Sequence, residues 1–130
     1  MADMDALLFF DGRPAEREIY EAFERRVLDE IDSVRIRVQK TQISFSNGKN
    51  FACVSRLRVR RARELPEAYI VVSFGLGWRV DSPRIAAATE PYPDRWTHHV
   101  VVARPEEVDD ELMAWVRAAG VFSASKRPRR

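Results

Sequence analysis

The stretch SVRIRVQKTQISFSNGKNFACVSRLRV, residues 33–59, carries the clearest change of period in the chain. Val34, Ile36 and Val38 alternate with Arg35 and Arg37, so one face of a strand enters a core while the other meets water or a partner. Alternation continues through Ile43 and Phe45, with Gln42 and Ser44 opposite. Ser46-Asn47-Gly48-Lys49 is a turn signal, and residues 51–59 read as the returning strand. A two-residue Asn47–Gly48 loop opposes Ile43 to Ala52 and Phe45 to Asn50. A three-residue loop, Ser46–Asn47–Gly48, instead opposes Ile43 to Phe51 and Thr41 to Cys53, with Gly48 in the left-handed region. The second register groups the apolar residues better and is the expected one.

Before this hairpin the period is helical. Ile19, Phe23, Val27 and Ile31 recur every four residues, and Tyr20 and Leu28 widen that face. Pro14 suits an early helical position, and Glu16 and Glu18 put negative charge near the positive end of the helix. After the hairpin, YIVVSFGLG (69–77) has little polar alternation and reads as a central strand, ended or bent at Gly75 and Gly77. Pro83, Pro91 and Pro93 argue against a long element between residues 81 and 95, leaving a short strand or a turn of helix at Ile85 to Ala88. WTHHVVVA (96–103) supplies another strand. The final helix spans 104–120, with Val108, Leu112, Trp115 or Val116, and Ala119 as its stripe and Gly120 as its stop. The expected fold is α+β, a mainly antiparallel sheet with an N-terminal helical segment and a C-terminal helix packed on one face. Residues 1–122 form one compact domain, and 123–130 a flexible basic tail.

Length supports this economy. A chain of 130 residues builds a core without disulfides or a structural metal. The acidic opening MADMDALLFFDG lacks the basic start of a signal peptide, and no segment approaches the roughly 18 apolar residues of a membrane span. A cytoplasmic protein without a membrane partner is expected. The net charge of +2 is uneven: KRPRR at the end contributes four positive side chains, and the remaining body has 18 basic and 20 acidic residues. A body that coats nucleic acid shows a broader imbalance. The one cysteine, Cys53, cannot form an internal disulfide and reads as a small core side chain.

No phosphate-binding loop, dinucleotide fingerprint or nucleophile elbow is present. His98 and His99 are adjacent, and on a strand they point to opposite faces, so no metal site and no cofactor are expected. If Val100 and Val102 pack inward, His98 shares their face; if Val101 does, His99 takes the inner position. The remaining candidates are polar. Lys40 can meet an anion as a point charge, and Arg84 or Arg95 can hold a carboxylate or phosphate with a planar fork. Gln42 and Ser44 can supply directional hydrogen bonds.

A second set is basic. Arg56, Arg58 and Arg60 share strand parity if their strand extends that far, and Lys126, Arg127, Arg129 and Arg130 in the tail add salt-sensitive phosphate contacts. Neighbouring aromatics do not form a stacking pattern, and Glu64 and Glu67 dilute the patch. Trp78, Trp96 and Tyr92 are the aromatics that suit a protein-binding groove.

The helix before VRIRVQKTQISF, followed by NFACVSRLRV, SPRIAAATEPYPDRWTHHVVV and VDDELMAWV, resembles the small bacterial domains grouped as the uncharacterised DUF5655 family, over most of residues 8 to 119. The resemblance implies an α+β domain and brings no established reaction. It singles out Lys40 and Gln42 in KTQISF, Arg84 in SPRI, and Arg95 and His98 in DRWTHH as members of one shared site. The expected function is therefore noncatalytic binding of an anionic small molecule or protein partner through Lys40, Gln42, Arg84, Arg95 and His98. The alternatives are a nucleic-acid-associated module built on the second basic set, and a small enzyme using His98 in acid–base chemistry, with no catalytic residues otherwise assigned.

Overall fold

A computed structural model describes residues 4–125. Helices α1 (Met4–Phe9) and α2 (Pro14–Glu30) lead into strands β1 (Arg35–Val38), β2 (Gln42–Ser46) and β3 (Asn50–Ser55). Strands β4 (Ile70–Leu76), β5 (Ile85–Tyr92) and β6 (Arg95–Val102) follow, then helix α3 (Asp110–Ser125). The strands form one six-stranded sheet in the order β1-β2-β3-β4-β6-β5, antiparallel at every pairing. The α+β fold is as the sequence periods require.

The helices pack their main apolar stripes on one face of this sheet. Ala6 and Phe10, then Ile19, Tyr20, Phe23 and Val27, join Leu112, Met113, Val116 and Ala119 in a single core. The sheet meets them with Ile43, Phe45, Val54, Val72, Phe74 and Val100, each at most 1% exposed. At roughly 25 cal/mol per Å² of apolar area removed from water, this one-sided seam is the main favourable contribution to folding. Aromatic edges lock it: Phe23 meets Phe45 edge-on at 5.3 Å, and Phe74 stacks on Trp115 at 5.8 Å.

The hairpin register differs from both sequence-derived options. Ile43 opposes Val54 and Phe45 opposes Ala52, but Ser46 opposes Asn50, so Phe51 is the extra residue of a bulge. The bulge keeps Ile43, Phe45, Ala52 and Val54 on the core face and buries Phe51 as well. The loop is Asn47–Gly48–Lys49, and Gly48 has φ +107°, a region closed to side chains with a Cβ. Strand β5 is longer than its prolines suggest, because it is the edge strand next to β6 and Pro91 has no second ladder to serve.

Gly120 does not stop the last helix. It is buried within α3, where its carbonyl accepts the Asn47 Nδ2–H at 2.9 Å, and the buried stripe continues to Ser123. The helix thus runs past 122, and the tail residues Lys126, Arg127, Arg129 and Arg130 lie outside the described residues. At the other end of α3, Asp109 caps the helix through the Leu112 amide at 3.0 Å. Arg84 grips the same carboxylate at 2.8 and 3.0 Å, reaches Glu111 at 3.0 Å and the Glu107 carbonyl at 2.9 Å, and lies over the Trp115 ring. Burial alone would raise the Asp109 carboxyl, but the Leu112 amide and Arg84 outweigh it and hold its pKa below the ordinary value.

Arg84→Met is expected to destabilise the fold by about 1 kcal/mol, since it removes the donor to the Glu107 carbonyl and the cationic partner of a half-exposed cap carboxylate. The measurement is a urea midpoint at neutral pH. The loss should shrink as pH falls through the depressed pKa of Asp109, where the wild-type pair is itself broken by protonation.

Candidate functional site

The face of the sheet opposite the helices carries a polar row set by pairing alone. Ser44 on β2 opposes Cys53 on β3, Cys53 opposes Ser73 on β4, and Ser73 opposes His99 on β6. Arg37 continues the row onto β1 and Ala87 onto β5. Side chains within it bond to one another. Ser73 Oγ and His99 Nδ1 are 2.6 Å apart. Ser44 Oγ donates to Gln39 Oε1 at 2.7 Å and accepts from Gln42 Nε2 at 3.0 Å.

Over this row lies a hollow of about 640 Å³, a volume within the ordinary range for small-molecule sites. Its floor is neutral and polar: Cys53, Ser55, Ser73, Thr97 and His99. Its rim is basic, with Arg13, Lys40 and Arg56, and Phe9 and Leu57 supply apolar wall. No carboxylate lines it. Burial lowers the pKa of His99 below its ordinary value and raises that of the Cys53 thiol, a rise that the Ser73 hydroxyl only partly offsets. The thiol is therefore protonated at neutral pH and is a poor nucleophile. Cys53 also departs from its expected place: it stands on the parity opposite Ala52 and Val54 and borders the hollow instead of the core.

Two of the rim cations are already engaged. Glu16 is 3% exposed, and its Oε1 sits 2.7 Å from Arg56 Nε and 3.7 Å from Arg13. Its Oε2 accepts the Tyr69 backbone N–H at 3.0 Å. The residue that the sequence assigned to the α2 dipole is thus the buried counter-charge of the rim. Lys40 is exposed and has no ion pair among the described residues. Counting Arg13, Lys40 and Arg56 against Glu16 leaves the rim with two net positive charges.

The five residues expected to share a site are not brought together. Lys40 and Gln42 line the hollow. Arg84 is committed to the start of α3. His98 is fully buried on the helix-covered face, stacked on Phe74 at 5.0 Å, with Nε2 accepting the Val80 backbone N–H at 2.9 Å. Burial lowers its pKa, so it serves as a neutral core aromatic. Arg95 has the open-face parity but begins β6 opposite Tyr92, beyond the residues that line the hollow. The basic set is dispersed too. Strand β3 ends at Ser55, so Arg56, Arg58 and Arg60 have no common strand parity, and Arg56 is turned to Glu16. Among the described residues no group of three or more His, Cys, Asp or Glu side chains is placed to hold a metal ion, and no helix is long and apolar enough to cross a membrane.

Sequence reasoning missed Arg13, Ser73 and His99. For His99 the signal was present but undecided, because the run Val100–Val101–Val102 supports either parity. For Arg13 no local signal exists, since its position depends on how the α1–α2 corner meets the sheet.

A family model described as a domain of unknown function, DUF5655, matches residues 8–121, and the chain belongs to that family. No curated protein and no solved structure matches the chain.

The rim cations should separate cleanly by stability. Arg56→Met leaves the Glu16 carboxylate buried beside a single distant cation and is expected to cost about 3 kcal/mol. Lys40→Met should stay within about 0.5 kcal/mol of wild type. Chemical denaturation of both variants checks the pair.

Proposed function

We propose that this DUF5655 domain is a noncatalytic, cytoplasmic binding module for a small organic anion, seated in the hollow on the open face of the sheet. The observation that carries this reading is the combination of a basic rim with a neutral polar floor and no lining carboxylate. An anion entering there meets favourable charge at Lys40 and loses nothing to repulsion. The fixed donors and acceptors of the floor then orient it at little entropic cost, because strand pairing already holds them in place. Phe9 and Leu57 favour a ligand with some apolar body over a bare ion.

A hollow of about 640 Å³ matches the size of a small-molecule site. The reading keeps Lys40 and Gln42 from the sequence-derived set and replaces Arg84, Arg95 and His98 with Arg13, Arg56, Ser73 and His99. Gln42 is tied to Ser44 and Gln39, so it acts through that network as well as directly.

The test is thermal stabilisation by a panel of aryl and alkyl carboxylates, sulfonates and phosphate monoesters, with the full chain. A ligand present at about ten times its Kd should stabilise by about 1.4 kcal/mol. Lys40→Glu should abolish the effect, while Arg95→Ala, outside the hollow, should leave it intact. Absence of stabilisation by every member, or an effect lost equally in Arg95→Ala, would overturn the reading.

A further inference from the structure

The inner end of the hollow differs from its rim in having no cation, only a histidine held in place. His99 Nδ1 is fixed by the Ser73 hydroxyl at 2.6 Å. Its Nε2 has no protein partner among the described residues, and the ring borders the hollow. The groups that surround it are neutral on every strand nearby: Ser73 on β4, Cys53 further along the same row on β3, Ala87 on β5, and Thr97 on its own strand. Among the described residues the formal charges that line the hollow are Arg13, Lys40 and Arg56, all at the rim; Arg37 and Arg95 lie farther out on the same face of the sheet, and His98 is on the other side.

We propose that His99 Nε2 contacts the ligand directly, and that the ligand is an oxyanion taken up together with a proton on this ring. This rests on the hollow being an anion site. In the empty protein a half-buried imidazole with a hydroxyl on one nitrogen and no acidic partner is neutral. Ser73 then donates to Nδ1 and the ring proton occupies Nε2, directed away from the strand. An oxyanion placed at Nε2 supplies the missing counter-charge. The ring gains a second proton at Nδ1, Ser73 turns to accept, and the contact becomes a charge-assisted hydrogen bond. The hydroxyl suits this exchange because it can serve either tautomer by rotating. Only the proton moves onto the ring; no bond in the ligand forms or breaks.

The sign of the pH effect follows. His99 in the free protein titrates below its ordinary 6.5 because burial opposes the charged ring. Bound oxyanion raises that pKa. Affinity therefore grows as pH falls from the bound-state value to the free-state value, by at most about tenfold per pH unit, and is flat outside that window.

The experiment is an NMR titration of the two histidine rings in the full chain, from about pH 8 to about pH 5, the range over which imidazole charge changes. It is run in sodium sulfate and in sodium chloride of equal ionic strength, because sulfate keeps its charge across the range. The expected result is a His99 pKa raised by about one unit in sulfate, with His98 unmoved. Sulfate affinity should rise several-fold from the alkaline to the acid end. His99→Gln, checked for an unchanged melting temperature, should still bind sulfate but with no pH dependence. Sulfate binding with an unmoved His99, or a pH slope that survives in His99→Gln, overturns this inference and leaves the anion site standing. Absence of sulfate binding at every pH overturns this inference, and the organic-anion site falls with it only if the carboxylate, sulfonate and phosphate monoester panel also fails to stabilise the chain.

Discussion

One-sided cover of the sheet is the constraint from which the rest follows. The helices bury Ile19, Phe23, Val27, Leu112 and Val116 against a single face. A strand alternates its side chains, so that choice assigns every residue of the inner strands to the core or to the open face at once. Val72 and Phe74 go in, and Ser73 between them must go out. Val100 and His98 go in, and His99 goes out. The polar row Ser44–Cys53–Ser73–His99 is the other half of the pattern that builds the core. Core burial also fixes its geometry, because shifting one strand by a residue would exchange its apolar set for its polar one.

Charge is used in two distinct ways around this frame. Arg84 with Asp109, and Arg56 with Glu16, fasten irregular segments to regular ones: the loop before β5 to the start of α3, and the end of β3 to α2. Each pair satisfies backbone groups as well, and the Tyr69 amide together with the nearby arginines is what allows Glu16 to be buried. Lys40 has no such duty. It stands on the turn between β1 and β2, facing the hollow. Structural arginines and a free lysine look alike in composition, yet Arg84 and Arg56 are paired to carboxylates of the chain and Lys40 is in no ion pair among the described residues.

The parts of the fold legible in the sequence were those written in period. The α2 stripe, the Arg35–Val38 alternation and the apolar run of β4 each name an element and a face. The hairpin turn was legible and its register was not, since the bulge at Phe51 appears only when the core volume must also be filled by that ring. Pro91 misled because an edge position is a property of the sheet and not of the strand. The site was half legible for the same kind of reason. Lys40 and Gln42 announce themselves as polar residues in a strand pattern. His98 and His99 differ only in parity, and three consecutive valines leave parity undetermined until α3 is placed. Arg84 has the look of an anion ligand because it is one, for a carboxylate of its own chain.

Face assignment of the adjacent histidines tests this account most directly. Carbethoxylation of the folded full chain, followed by fragment mass spectrometry to separate the two rings, reads it in one experiment. The account predicts that His99 is modified in the native protein, while His98 is modified only after unfolding. Modification of His98 at the rate of His99, or ahead of it, would contradict the one-sided packing and the open-face site with it.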